Sequence, residues 1–363
     1  MFSFLPLVER CDNFRRVDEG SEVDNPIPFY VTPPQGVEVR IGWIRSPVVD
    51  VLQQKTGNPV FDVTGTEALI VNFDIVESSE CLHVPGREVR FVRNLDSPRK
   101  RSDALDVLCR EWRNSGLFSD VIGGSLWRDE LYPIYYDPFK RTGSDNTDIA
   151  FLLERACCTI FGLVTYGCHM TMYLEGEQKI WVPIRAKTKT WPGCPDNTVA
   201  GGIPYGLTPT DALVKECMEE ASLEESFVRK YLRATGAISY FFQSSKGWLK
   251  PKTQYVYDLV VPVGVDAPEL KPLDGEVERF ELLSVDDVLD KLRKGLFPPT
   301  CALVFIDFFI RHGHITPESE PNFVEILTRM HGRFGFDNYV CAQHPQLCFH
   351  PFGDTYFHKA VSE

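Results

Sequence analysis

The apolar and polar positions change rhythm several times along the chain. Between residues 29 and 80, FYVTPP, VEVRIGWI and TEALIVNFDIV are β-branched and aromatic runs broken by Pro and Gly, which predicts strands. SPRKRSDALDVLCREWRNSG then takes helical spacing, with Leu105, Leu108 and Trp112 on one face and Ser102 as candidate N-cap. The polar stretch KRTGSDNTD, 140–148, predicts a boundary. It divides the chain into an N-terminal domain over 1–148, a second domain over 149–335 and a tail over 336–363. FLLERACCTIFGLV predicts a helix or buried segment, and HMTMYLEGEQKIWVPIRA a hairpin turning at Glu175 and Gly176. TQYVYDLVVPV, 253–263, predicts a strand, VDDVLDKLRKG a helix ending at Gly295, and CALVFIDFFIRHG a buried helix stopped by Gly313. Interleaved strands and helices of this kind give an α/β fold class.

With 363 residues, 43% of them hydrophobic, the chain has material for two cores. Its net charge of -13 argues against a non-specific grip on nucleic acid. The 11 cysteines are odd in number and irregularly spaced, as reduced thiols would be. The opening MFSFLPLVERCDNF has neither a basic start with a small-residue cleavage site nor an Arg-rich, acid-free character. No apolar run reaches membrane-spanning length. These features predict a cytoplasmic protein without nucleic-acid or membrane partners.

The densest chemistry lies in AGGIPYGLTPTDALVKECMEEASL, residues 200–223. Thr208 is a candidate N-cap, Pro209 suits the first helical position, and Asp211 stands where a capping-box acid belongs. On that helix Glu216, Glu219 and Glu220 are related as i, i+3 and i+4 and share a face. Leu213, Val214, Cys217 and Ala221 make the packing side. Like charges at i, i+4 cost about 0.2–0.5 kcal/mol on an exposed helix, and a divalent cation removes that penalty. Mg²⁺ takes oxygen ligands, often carboxylates together with substrate phosphates. Gly201 and Gly202 let the backbone approach a ligand closely. A merely solvated acidic face is the alternative to weigh against this.

GGIPYGL followed by KECMEEASL resembles the Nudix box of the Nudix hydrolases, a loop–helix–loop that binds Mg²⁺ or Mn²⁺ and cleaves a diphosphate linked to another moiety. The match covers Gly201, Glu216, Glu219, Glu220 and Leu223; Leu207, Lys215 and Ser222 replace the usual glutamate, arginine and glycine. WRDELYPIYYD, KTKTWPGCPDNTVAGG, TGAISYFF, QYVYDLVVP and DGEVERFELL are similar to a fungal and plant subfamily, sometimes fused to a thiamine pyrophosphokinase. The resemblance implies a Nudix α/β/α sandwich with a mixed sheet, preceded by a smaller α/β domain. It further implies hydrolysis of thiamine diphosphate, above all its oxidised or damaged analogues, to the monophosphate and phosphate. Another nucleoside diphosphate derivative such as ADP-ribose, or a non-catalytic diphosphate-binding module, is the alternative.

Under this reading Glu216 and Glu220 are the primary metal ligands, and Glu219 a third ligand or base-side partner. Lys215 pairs with Glu219, and a carbonyl at Ala200 or Gly201 completes the shell. From DGEVER, Glu276 is preferred over Asp274 and Glu278 as a further acid; Arg185, Lys187 and Lys189 are candidate phosphate contacts. Trp191, Phe241, Phe242 and Trp248 are ring-stacking candidates with core packing as the commoner role, and Trp127 and Tyr132 either wall a cleft or seal the domain seam. Cys341, His344, Cys348 and His350 have zinc-ligand chemistry at too tight a spacing. His169, Cys157 and Cys158 read as core residues. The oligomeric state is not legible.

Overall fold

A computed structural model describes residues 2–14, 26–34, 36, 38–54, 60–64, 87–139 and 147–336. After the short helix α1 (Leu5–Glu9), the N-terminal half builds a four-stranded sheet of order β2-β1-β4-β3. Its strands are β1 (Ile27–Val31), β2 (Val39–Ile44), β3 (Phe61–Thr64) and β4 (Glu88–Phe91), with β1 and β4 parallel. The strand-rich reading holds for FYV and VRIGWI, but Ser46–Gln54 is a helix, α2. It buries Val48, Val49 and Leu52 at i, i+1 and i+4, so packing overrides the strand preference of its valines. TEALIVNFDIV lies outside the described residues.

Helix α3 (Pro98–Ser115) begins one turn earlier than the candidate cap Ser102 implies. Ser97 is the N-cap, accepting from Lys100 N, because Pro98 suits the first helical position. Ser102 instead donates to Pro98 O at 2.8 Å and accepts from Leu152 N at 2.8 Å, tying the helix to a strand. After α4 (Ser119–Ile122), β5 (Leu131–Tyr135) and β6 (Ile149–Glu154) pair antiparallel. FLLERACCTIFGLV therefore splits into β6 and a 3-10 turn over Arg155–Thr159. Phe151, Leu153, Cys157 and Cys158 join the core of Leu105, Leu108 and Trp112, and both cysteines are free thiols. Residues 140–146, within the expected boundary, lie outside the described residues, as do 337–363 with the Cys341, His344, Cys348 and His350 group.

The second half is a mixed sheet between helices. Its strands are β7 (Thr165–Leu174), β8 (Lys179–Arg185), β9 (Val199–Gly202), β10 (Leu232–Gln243), β11 (Leu249–Val261) and β12 (Val277–Ser284). The order is β10-β11-β7-β8-β12, with β9 on β7; β11 and β7 are parallel and the other pairs antiparallel. Strand alternation sends Cys168, Met170 and Met172 to one face, where α5 (Pro209–Ala221) packs Leu213, Val214 and Cys217. Helix α6 (Glu225–Tyr231) follows on that side, with Val228 in the same cluster. On the other face Ile180, Val182, Ile238 and Val256 meet α7 (Val285–Arg293) and α8 (Pro299–Arg311). Helix α9 (Phe323–Arg329) adds Ile326. This is the α/β/α sandwich, preceded by a separate α/β unit. The β7–β8 hairpin, and the stops at Gly295 and Gly313 in the left-handed region, agree with the sequence reading.

The two halves are tied at several points. Trp43 Nε1 donates to Phe334 O at 3.1 Å and Arg40 to Gly335 O at 2.7 Å. From the β10–β11 turn, Trp248 Nε1 donates to the Asp120 carboxylate at 2.9 Å. Tyr205 N, in the loop that follows β9, donates to Leu131 O of β5 at 2.8 Å.

Candidate active site

Strand β9 pairs with β7 (Cys168 opposite Gly201, His169 opposite Ala200) and delivers the chain to α5. Thr208 caps that helix, its Oγ1 accepting from Asp211 N at 3.1 Å and donating to the Asp211 carboxylate at 2.6 Å. The carboxylates of α5 then diverge. Glu220 is buried, 4% exposed; its Oε2 accepts from Ala200 N and its Oε1 from Lys189 Nζ, each at 3.2 Å. Glu216 packs over Gly201, where a Cβ would overlap its side chain, so only glycine fits under it. Glu219 points outward, half-exposed, and accepts from Lys215 at 2.6 Å.

A later loop completes the cluster. Oxygens of Glu220, Asp274 and Glu276 all lie within 4.8 Å of one another, and Lys189 Nζ also pairs with Glu276. Thus Lys189 bridges Glu220 and Glu276. Burial pushes Glu220 up to about 8, against the pull of Lys189 and the Ala200 N–H. Burial likewise pushes Glu216 up to about 7, against Lys215 and with Glu219 adding to the rise. A buried carboxyl, Glu220, facing two more on a loop, with the half-buried Glu216 one turn before it on α5, forms an all-oxygen donor set deficient in positive charge. That set fits a hard divalent cation such as Mg²⁺ or Mn²⁺.

The remaining predicted positions are placed as follows. Arg185 pairs with Asp196, and its Nε donates to Thr190 O at 2.7 Å, so it braces the 185–196 loop. Lys187 is exposed, with no hydrogen bond or ion pair to the carboxylates. Ala200 enters the site through its N–H. Phe241 is core, against Phe14 and Phe334; Phe242 packs beside the core under α7 and α8, and Trp248 lies buried beside Phe118. Trp191 is exposed on its loop. His169 is buried, Nδ1 2.9 Å from Asn197 Oδ1, and burial lowers its pKa.

A model of the NUDIX domain matches residues 169–303, and a model of a domain of unknown function (DUF4743) matches residues 3–165. The chain is 34% identical over 359 residues to an uncharacterized protein of Saccharomyces cerevisiae, covering 92% of each. It is 35% identical over 275 residues to Nudix hydrolase 20, chloroplastic, of Arabidopsis thaliana, covering 74% of this chain and 68% of that one. The chain belongs to the Nudix hydrolase family. It is therefore a pyrophosphohydrolase, in a family that generally uses divalent metals. Nudix hydrolase 24, chloroplastic, of the same plant is 34% identical over 251 residues, covering 68% of this chain and 63% of its own. Among the described residues no helix is long and apolar enough to cross a membrane.

The three departures from the Nudix box now have physical settings. Leu207 packs against the core beneath α5. Lys215 forms a half-exposed i,i+4 pair, worth a few tenths of a kcal/mol, about 0.3–0.5. Ser222 takes the left-handed conformation, φ 54°, that a glycine adopts freely, and its Oγ donates to Lys271 O at 2.8 Å.

Two features near this Nudix site were legible in the sequence only as the option that Trp127 and Tyr132 wall a cleft or seal a seam. Tyr132 of β5 places its hydroxyl against Gly202, where a Cβ would overlap it, and the Arg155 guanidinium carbon is 3.6 Å from the same point. Neither residue lies near the box in sequence, and only the β5–β6 pairing brings them there. A cleft of about 800 Å³ also opens between α3 and the β5–β6 pair, with Val107, Leu131, Trp127 and the loop residue Tyr205 in its lining. Tyr205 N donates to Leu131 O at 2.8 Å, which fixes the cleft wall to the loop.

Proposed function

We propose that this Nudix hydrolase converts thiamine diphosphate, and preferentially its oxidised or damaged analogues, to the monophosphate and phosphate. The observation that carries the diphosphatase part of the reading is the cluster of Glu220, Asp274 and Glu276, with Glu216 packed over Gly201 on the same helix as Glu220. Water attacks a phosphorus of the diphosphate, the bridging P–O bond breaks, and the released oxygen leaves with its phosphate. A bound Mg²⁺ or Mn²⁺ neutralises charge growing on the phosphoryl oxygens. Glu216 and Glu220 would hold such a cation, with Glu276 and Asp274 contributing from the later loop. Glu219 acts from the outer side as a positioning carboxylate held by Lys215. Lys189, placed between two carboxylates, can turn to the terminal phosphate once their charge is met by a cation. Gly201 and Gly202 let Glu216 and Tyr132 pack closely over β9. The cytoplasm is the compartment we propose; the plant relatives carry chloroplastic names.

ADP-ribose and related nucleoside diphosphates form the second reading, because the carboxylate cluster addresses the diphosphate and not the group attached to it. Phosphate and monophosphate release in Mg²⁺ from thiamine, oxythiamine and oxothiamine diphosphates, and nucleoside monophosphate release from ADP-ribose, separates the two. The expected order places oxo- and oxythiamine diphosphate first. Turnover of ADP-ribose far above any thiamine-type diphosphate overturns the assignment.

A further inference from the structure

The stretch matched by the DUF4743 model, residues 3–165, brings a cation to the edge of the hydrolase loop. Arg155 stands at the start of the 3-10 turn after β6, and its N–H donates to Glu130 O at 2.9 Å. One Nη donates to Glu130 Oε2 at 3.0 Å, and the guanidinium lies over the Tyr132 ring, 5.5 Å from its centre. The ring itself is wedged against Gly202. The side chain is thus aimed from two sides, yet it is 45% exposed. Its Nε and second Nη donate to no protein atom among the described residues. Its charge acts on Glu216 and Glu276, so it lies within electrostatic reach of both walls of the cation site.

Three other cations of this region are committed, whereas the Arg128 guanidinium, which also acts on Glu276, and Lys187 stand exposed without the aromatic and carboxylate brace that aims Arg155. Lys189 bridges Glu220 and Glu276, Arg185 pairs with Asp196, and Lys215 pairs with Glu219. An incoming diphosphate carries several negative charges toward a cluster of carboxylates and needs more than one cation to meet them. A guanidinium with a free Nε–Nη edge is the side chain best shaped for two phosphate oxygens at once. We propose that Arg155 is a diphosphate-binding residue of the hydrolase site, and that supplying and aiming it is a function of the stretch matched by the DUF4743 model, residues 3–165. The inference rests on the diphosphohydrolase reading but not on the organic half of the substrate.

The test uses the full chain and imidodiphosphate, a non-hydrolysable diphosphate, titrated calorimetrically in saturating Mn²⁺. Arg155→Met should weaken its binding about tenfold to a hundredfold, the range for loss of a charge-assisted pair of hydrogen bonds. Arg155→Lys should recover only part of the loss. Mn²⁺ affinity, titrated alone, and the melting temperature should stay close to wild type in both variants. An imidodiphosphate affinity within twofold of wild type in Arg155→Met overturns the proposal. So does a parallel loss of Mn²⁺ affinity, which would mark Arg155 as structural. Turnover of the diphosphate panel by wild type reads the proposed substrate separately, so a wrong substrate leaves the imidodiphosphate result standing.

Discussion

Glu220→Gln is expected to lower kcat by about two to three orders of magnitude, the scale for removing one preorganised charge from a charge-stabilising site. The substitution keeps side-chain volume and leaves an oxygen to accept from Ala200 N. What it removes is the anionic oxygen facing Lys189, Asp274 and Glu276. The fold should tolerate the change. Glu220 is 4% exposed and its ionisation is opposed by burial, so a neutral amide relieves strain in the metal-free protein. Lys189 retains Glu276 as partner. Steady-state kinetics and thermal melts together decide the matter: kcat near wild type would remove Glu220 from the ligand set, and a collapsed melting temperature would mean its role is structural.

The second large effect is steric. Gly202→Ala places a methyl where Tyr132 Oη already stands, with the ring carbon Cζ only 2.8 Å away. The tyrosine is buried on β5, and Gly202 is held by β9 pairing, so neither side yields easily. Overpacking of this kind costs about 1–3 kcal/mol, and here the strain falls on the joint between the two domains. Removing the hydroxyl with Tyr132→Phe deletes the nearest atom. The double variant should therefore be more stable than Gly202→Ala alone, a non-additivity expected only of residues in contact. Urea denaturation of the four proteins measures it. Strict additivity would show that the tyrosine and the loop do not press on each other.

Much of the architecture was legible because period and punctuation agreed. α5 could be placed from Thr208, Pro209 and the packing side of Leu213, Val214 and Cys217, all of which the structure uses as read. The ends of α7 and α8 were marked by Gly295 and Gly313. Where the reading missed, a local signal competed with a tertiary one. Val48 and Val49 favour strands, but burial on α2 decides; Phe151 and Leu153 suit a helix or a strand, and pairing with β5 decides. Helical periodicity puts the three glutamates of α5 on one face, yet it cannot show that Glu220 turns under Ala200 while Glu219 turns out to Lys215. Nor could it distinguish Lys189, which enters the cluster, from Arg185, which braces its loop. Tyr132 could be named only as a cleft-wall or seam residue and Arg155 not at all, because their place at Gly202 depends on tertiary packing of the β5–β6 pair against β9.

The weakened acidities of Glu216 and Glu220 carry a directional consequence. A carboxyl whose pKa rises on folding binds more protons in the folded chain than in the unfolded one, so its contribution to stability falls as pH climbs from the ordinary value of 4.5 toward 7 for Glu216 and 8 for Glu220. A divalent cation takes the place of those protons, and its affinity must rise through the same window. The most direct measurement is a Mn²⁺ titration followed by the electron paramagnetic resonance of the free ion, at about pH 6 and again at about pH 7.5, in wild type and Glu220→Gln. Carboxylates of this site as the cation ligands predict binding at least about tenfold tighter at the higher pH, and severely weakened at both in the variant. Equal affinity at the two pH values, or undiminished binding in Glu220→Gln, would contradict it.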